Sequence, residues 1–583
     1  MSEREVVSVA SAPQHTLARA GGWDEERRPG SLSLRRWNVT KRYGYWFAGG
    51  LLLFVYGIFT NVTSGLITND ESWFLQVVHR VTTGDVLYRD VFFGATPLSV
   101  YITAAFVAVF GTEILIVKAI MAACFALTCL LSCRIAQQLG LGQAFSWLLV
   151  MTLLAYVPSW VPGAGSPYTP LAYIFLLGCF SAVLSWRDST QAAIRVGKHK
   201  ATRALVIAGA SAGLCFATKQ SLGLYALLGL WLAVAVSYRD TQMNAPRLIG
   251  AFLLVLAAFL LAAGLILLPV WLSGGTEKFL DYGFLNKDTY IRLAQIPYRA
   301  QLNGLVRLAR NLVSLQALRD LYEQLQDLPR IQYGASRSIL RDLKDFYYQL
   351  QLLLPFPTFA VLLWAWLRAG SGRRGLAAVM LIFTGTAFAD VFPRVSIHHT
   401  TSAIPALMLG LAWACRQIFS INERRMLFMR TAFLLWLGMG VSYLLIHPVL
   451  RIASGDYEFS PLPHLRGALV PVSFIEGVRA QTKMLMEITN SEQLFILSPS
   501  AGLYYLVTGL KNPTPFDYPL VTAFGQSGQA DVIAAIKQQR IGSVCLTPLG
   551  SDHLKPALLE SYVQDNMERS HDIGFCTLYR NRP

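Results

Sequence analysis

The chain has 583 residues, of which 54% are hydrophobic and only 14% charged. Soluble domains carry about a quarter charged residues, so this balance excludes an ordinary water-soluble protein. The formal charge of +16 arises from basic residues lying mainly between apolar blocks. That is a topological pattern; with no basic recognition module present, it does not point to nucleic acid.

Residues 1–40 are polar, with Gly, Pro and Arg and no apolar run. They read as a disordered cytosolic tail and not as a cleavable signal peptide. Twelve apolar blocks follow: 44–62, 97–111, 114–138, 143–158, 168–186, 204–218, 221–237, 248–272, 348–367, 375–391, 400–418 and 431–449. Most have the roughly 17–25 residues needed to cross the hydrocarbon. The block from Pro97 to Gly111 gives only ~22 Å of helix at 1.5 Å per residue, which suits the membrane surface better.

Charge decides between the two counts. With 97–111 on the surface and the N-terminus inside, the cytosolic loops hold Arg187, Arg195, Lys198, Lys200 and Arg203, then Arg239 and Arg247. They also hold Arg368, Arg373 and Arg374, then Arg416, Arg424, Arg425 and Arg430. The short outer loops keep only Lys219 and Arg394. Counting 97–111 as a span inverts this pattern, so the positive-inside bias favours eleven spans with the C-terminus outside.

Three outer regions result. Residues 63–113 hold the amphipathic stretch "DESWFLQVVHRVTTG" and the short surface helix. Residues 273–347 are polar with a helical pattern, suited to the bilayer face. Residues 451–583 form a tail in which "EQLFILSP", "IGSVCLTP" and "GFCTLYR" read as short buried strands between helices, a small α/β domain. Cys545 and Cys576 fall in two of these strands; a disulfide and two separate core cysteines are both compatible with that. The other six cysteines lie in apolar spans, and no Cys/His spacing suggests a metal. The fold class expected is thus an all-α polytopic membrane protein with about eleven transmembrane helices, amphipathic surface helices and a small C-terminal α/β extracytoplasmic domain.

Charges at a membrane boundary are costly without a reason, and they mark the candidate chemistry. Asp70 and Glu71 follow the first span; they could act as general base and supporting partner, or simply as the acidic first turn of a helix capped by Asn69 or Asp70. Tyr88, Arg89 and Asp90 sit in a turn after Gly84, where Arg89 and Asp90 could pair at the surface. Lys219 lies in a long uncharged stretch, either snorkelling to the headgroups or binding a lipid phosphate. The loop "FADVFPRVSIHHTTSAIP" holds Asp390, Arg394, His398 and His399; Arg394 suits phosphate oxygens, whereas two adjacent histidines make a poor metal pair. A carboxylate pair facing separated cations suits transfer of a sugar from a phosphate leaving group, which departs already ionised and needs cations in place of a general acid.

At these residues the chain resembles the membrane-embedded GT-C glycosyltransferases, and above all the protein O-mannosyltransferase and lipid A aminoarabinose transferase group. The shared features are Asp70-Glu71, the Gly84 to Tyr88 turn, and the helix from Pro97 to Phe110-Gly111. Thr218-Lys219 at a span boundary and Pro393-Arg394 with His398 in an outer loop complete the match. One departure is Thr96, where relatives often carry a basic residue. The resemblance covers residues 44–450 in layout and implies a GT-C transmembrane domain over 41–450.

It further implies Asp70 as catalytic base with Glu71 beside it, and Lys219 and Arg394 on the donor phosphate. Tyr88, Arg89, His398 and His399 are further candidate substrate contacts. The partners implied are a polyprenyl-phosphate sugar, a lipid, protein or polysaccharide acceptor, and membrane lipids, with no cofactor required; the spacing does not support a divalent metal. The function implied is an inverting hexosyl or pentosyl transferase of the cell envelope, in the cytoplasmic membrane and facing outward. The alternative is a lipid-linked sugar flippase or transporter, which internal repeats and mid-membrane polar groups would mark; neither is visible in the sequence. The segment "YYLVTGLKNPTPFDYP" (504–519) resembles tails of some bacterial members and implies no chemistry.

Overall fold

The computed structural model describes residues 31–156, 165–191, 199–238, 244–314, 339–418, 423–489, 493–549 and 554–582. The first thirty residues of the expected tail lie outside these, and the next ten fall in a helix, Ser31–Thr63. The chain divides at Gly49 into a short N-terminal unit and a unit spanning Gly50–Pro583, which carries everything described below.

Each of the eleven expected spans coincides with a helix. Among the described residues, eight are long and apolar enough to cross a membrane, including Ile114–Gln138, Tyr168–Thr190, Ala245–Leu272 and Phe433–Ala453. The helices Ser371–Ala389 and Ile397–Ile418 occupy two further expected spans. Another, 143–158, holds the shorter Gln143–Tyr156. The chain is an integral membrane protein. Its helices meet partly through small residues: a Cβ on Gly209 would come within 2.5 Å of the Val255 carbonyl, and Gly213 lies equally tight on Phe259. Backbones can approach so closely only where side chains are absent.

The short helix expected over 97–111 is Leu98–Phe110. One face, with Leu98, Val100, Thr103 and Val107, is buried. The other leaves Phe106, Val109 and Phe110 exposed, a face suited to lipid. The preceding helix, Asp70–Thr82, is buried along most of its length despite its charges.

Beyond the last membrane helix stands the small α/β domain. Its four-stranded sheet has the order Leu494–Leu497, Ser543–Leu546, Thr577–Arg580, Glu568–Asp572, with the first pair parallel and the others antiparallel. The parallel pair, Leu494–Leu497 and Ser543–Leu546, is wholly buried, as continuous apolar runs require. Cys545 and Cys576 are disulfide-bonded, which closes the alternative left open by the sequence.

Candidate active site

The Asp70–Thr82 helix begins where the first membrane helix ends, so its N-terminal carboxylates lie at the membrane boundary. The two acids face different surroundings. Glu71 is buried against Lys118, whose Nζ lies 3.0 Å from Oε1 and also donates to the carbonyls of Asn61 and Gly65. The other Glu71 oxygen accepts from the Ile67 amide at 3.0 Å. These bonds tie the end of the first helix to the start of the next.

Asp70 faces the other way and is half-buried. It does not rest in a helix-capping arrangement, and Asn69 makes no side-chain cap either; Asn69 Oδ1 instead accepts from Ser500 Oγ at 3.0 Å. Burial raises the Asp70 pKa above the usual carboxylate value; Arg394 opposes this, Glu71 adds to it, and a hydrogen bond from Tyr518 opposes it. A carboxylate of this kind is a better base than one in water. Gly165 presses on it from the loop before the Tyr168–Gln191 helix. The Gly165 backbone is left-handed (φ +45°), and a Cβ there would collide with the Asp70 side chain.

Lys219 lies in extended backbone between two membrane helices, His199–Thr218 and Gln220–Ser237. Its Nζ lies 2.7 Å from Asp390 Oδ2, and Ser221 Oγ donates to Oδ1 of the same carboxylate at 3.0 Å. Burial opposes the Lys219 charge, but Asp390 more than restores it, so the pKa stands above the ordinary lysine value. The Tyr168 ring lies 6.0 Å from the ammonium.

Arg394 is held by its backbone. Val395 donates to the Ile296 carbonyl at 3.1 Å, and Ile296 donates to that of Pro393 at 3.2 Å, strapping the two segments together. His399 Nδ1 shares a hydrogen bond with Ser396 Oγ at 2.7 Å, and His398 stands next to Arg394 electrostatically. No group of three or more His, Cys, Asp or Glu placed to hold a metal occurs among the described residues.

Lys287, in the helix Lys287–Ala294, escaped the sequence reading. Its Nζ donates to the Gly94 carbonyl at 2.8 Å. Burial, aided by the nearby Lys219 charge, pushes its pKa down to about 8. Thr96, the one departure from the resemblance, turns inward to donate to the Phe216 carbonyl at 2.5 Å. Lys287 thus brings a cation to the same stretch of chain from elsewhere. Amphipathic patterning hid it, because a lysine on a surface helix is ordinarily a solvated charge.

Asp70, Arg394, Lys219, Lys287 and Tyr518 therefore form one electrostatically coupled cluster, with Tyr168 and Tyr290 beside it. Two expected substrate contacts stand outside it. Tyr88 is fully buried at φ 70°, with its hydroxyl donating to the Ala95 carbonyl at 2.6 Å, so it shapes a turn. Arg89 is exposed and pairs with Asp90 at 2.8 Å, the bland alternative of the two considered.

No protein-family profile and no curated protein matches the chain. Among solved structures it is similar to ArnT from Cupriavidus metallidurans bound to undecaprenyl phosphate, with 14% identity over 93% of this chain and 98% of that one and a TM-score of 0.53. The apo state of the same protein aligns with 13% identity over 94% of this chain and 98% of that one, at a TM-score of 0.49. The alignment spans nearly the full length of both chains, which gives this protein the ArnT fold, the membrane architecture that its motifs resemble.

Proposed function

We propose that this chain is an inverting glycosyltransferase that moves a sugar from a polyprenyl-phosphate donor to an acceptor hydroxyl at the outer face of the cytoplasmic membrane. The observation that carries this reading is the convergence of one elevated carboxylate, Asp70, with the cations Lys219, Lys287 and Arg394 at one membrane boundary. The structural neighbour bound to undecaprenyl phosphate supports the choice of donor class.

In this reading Asp70 takes the proton of the acceptor hydroxyl as its oxygen bonds to the anomeric carbon. The bond from that carbon to the phosphate oxygen breaks, and polyprenyl phosphate leaves as an anion. The three cations stabilise the charge that gathers on the leaving group, and a partly dry site makes them worth more than in water. Arg394 offers a two-pronged donor and the lysines point charges. Lys219 is already paired with Asp390, so its charge is held in place before the donor arrives. Glu71 acts through Lys118 to fix the helix that presents Asp70, and touches no substrate.

The exposed apolar face of Leu98–Phe110 offers the prenyl chain a path beside the site. The Cys545–Cys576 disulfide supports an oxidising compartment for the C-terminal domain, consistent with a cytosolic N-terminus. The test is transfer of radiolabelled sugar from synthetic polyprenyl-phosphate sugars to envelope acceptors by the purified protein. Transfer abolished by Asp70→Asn supports the reading; movement of the intact donor across vesicles without transfer would instead favour a flippase.

A further inference from the structure

The segment 504–519 stands on the far side of the sequence from Asp70, yet it ends against the helix that presents that residue. Its turn is built from side chains bonding to nearby backbone. Asn512 Nδ2 donates to Asp517 Oδ1 at 2.9 Å and to the Phe516 carbonyl at 3.1 Å, while its own oxygen accepts from the Thr514 amide at 2.9 Å. Thr514 Oγ1 then accepts from the Phe516 amide at 3.1 Å. Such local bonding fixes a loop that has no regular structure.

Arg80, on the helix that begins with Asp70, locks this turn in place. Its Nη1 donates to Asp517 Oδ2 at 3.0 Å and to the Thr514 carbonyl at 2.9 Å; Nε bonds Asp85 at 2.7 Å and Nη2 the Asp90 carbonyl at 2.8 Å. Both Arg80 and Asp517 are buried. Two backbone approaches reinforce the dock: Phe92 donates to the Pro515 carbonyl at 2.8 Å, and Gly502 lies so near Trp73 that a Cβ would come within 2.7 Å of its Cα. Tyr518, the next residue after Asp517, is thereby delivered with its ring stacked on Trp73 at 5.5 Å, one helical turn from Asp70, where it interacts electrostatically with that carboxylate.

We propose that Tyr518 is a positioning residue of the transfer site, supplied by the C-terminal domain: its hydroxyl orients the Asp70 carboxylate for the acceptor proton. The inference rests on the reading of Asp70 as base. It gives the extracytoplasmic domain a direct part in the chemistry, through a lock whose members are far apart in sequence. A tyrosine on a rigid turn can hold one carboxylate oxygen and leave the other free for the acceptor.

The experiment compares pH profiles of transfer by the full-length protein in lipid nanodiscs. Tyr518→Phe keeps the ring on Trp73 and removes only the hydroxyl. Losing a bond that favours the ionised carboxylate moves the acidic limb to higher pH, with about a tenfold loss of turnover at its acidic end and donor KM unchanged. Incorporating 3-fluorotyrosine at 518, a stronger donor of nearly the same shape, moves the limb to lower pH and keeps the test open should Tyr518→Phe not fold. An inactive Asp70→Asn together with unmoved limbs in both Tyr518 variants overturns the positioning role alone. An active Asp70→Asn overturns the base assignment on which it rests.

Discussion

Lys219 and Asp390 form an ion pair of 2.7 Å between two connections 171 residues apart, with side chains 15% and 4% exposed. Neither charge is supported by bulk water, so each depends on the other. Removing the lysine alone leaves Asp390 buried and uncompensated, a change that costs about 3–5 kcal/mol in comparable buried pairs. Lys219→Met is therefore expected to lower the unfolding temperature in detergent as well as abolish transfer. The double variant Lys219→Met, Asp390→Leu is expected to recover stability but not transfer. Recovery of both would remove Lys219 from the donor site.

A second pair separates scaffold from chemistry. Lys118 is fully buried and bonds Glu71. Lys118→Met is expected to destabilise the protein by about 3–5 kcal/mol, because it strands the Glu71 charge. Glu71→Gln keeps a hydrogen-bond acceptor for Lys118 and the Ile67 amide; measured turnover is expected to stay within about tenfold of wild type. A loss as deep as that of Asp70→Asn would return Glu71 to the catalytic pair.

Much of this was legible in the sequence. Apolar block lengths and the distribution of arginines gave the spans and marked the short helix at Leu98 as something else. The same topology put Asp70, Lys219 and Arg394 at one boundary, and the fold brings them into one cluster. The sequence could not show partners that depend on packing. Lys118 sits within an apolar span, where an intramembrane lysine was a signal passed over. Lys287 hides in an amphipathic segment, and Tyr518 lies more than 440 residues from Asp70, reached only through the Arg80 lock. Arg89 was easier to read, since its neighbour Asp90 was already in view as a surface partner.

Lys287 gives a pH signature. With its pKa pushed down to about 8, it is mostly charged at neutral pH and loses the charge as pH rises through that value. Affinity for polyprenyl phosphate is expected to fall above about pH 8 in the wild type. Lys287→Arg keeps its charge throughout, so its affinity is expected to stay flat over that range. Titration calorimetry in nanodiscs reads both, and matching curves for the two proteins would exclude Lys287 from phosphate binding.

Gly165 tests the geometry around the base without touching a charge. Any side chain there meets Asp70 and must also adopt a left-handed backbone. Gly165→Ala is expected to lower turnover by about tenfold to a hundredfold, since small misplacement of a reacting group is costly. Donor binding measured in parallel is expected to be unchanged, because the phosphate cations lie on other loops.

The central claim is that Asp70 is the base of a transfer reaction. The direct measurement is Asp70→Asn, assayed for both donor binding and sugar transfer at neutral pH. Because burial raises the Asp70 pKa, ionisation of Asp70 weakens the fold as pH rises from the ordinary aspartate value through the raised one. The neutral asparagine is therefore expected to unfold at a temperature no lower than wild type, to bind polyprenyl phosphate normally and to show no transfer. A stable Asp70→Asn protein that still transfers sugar at the wild-type rate would contradict the account.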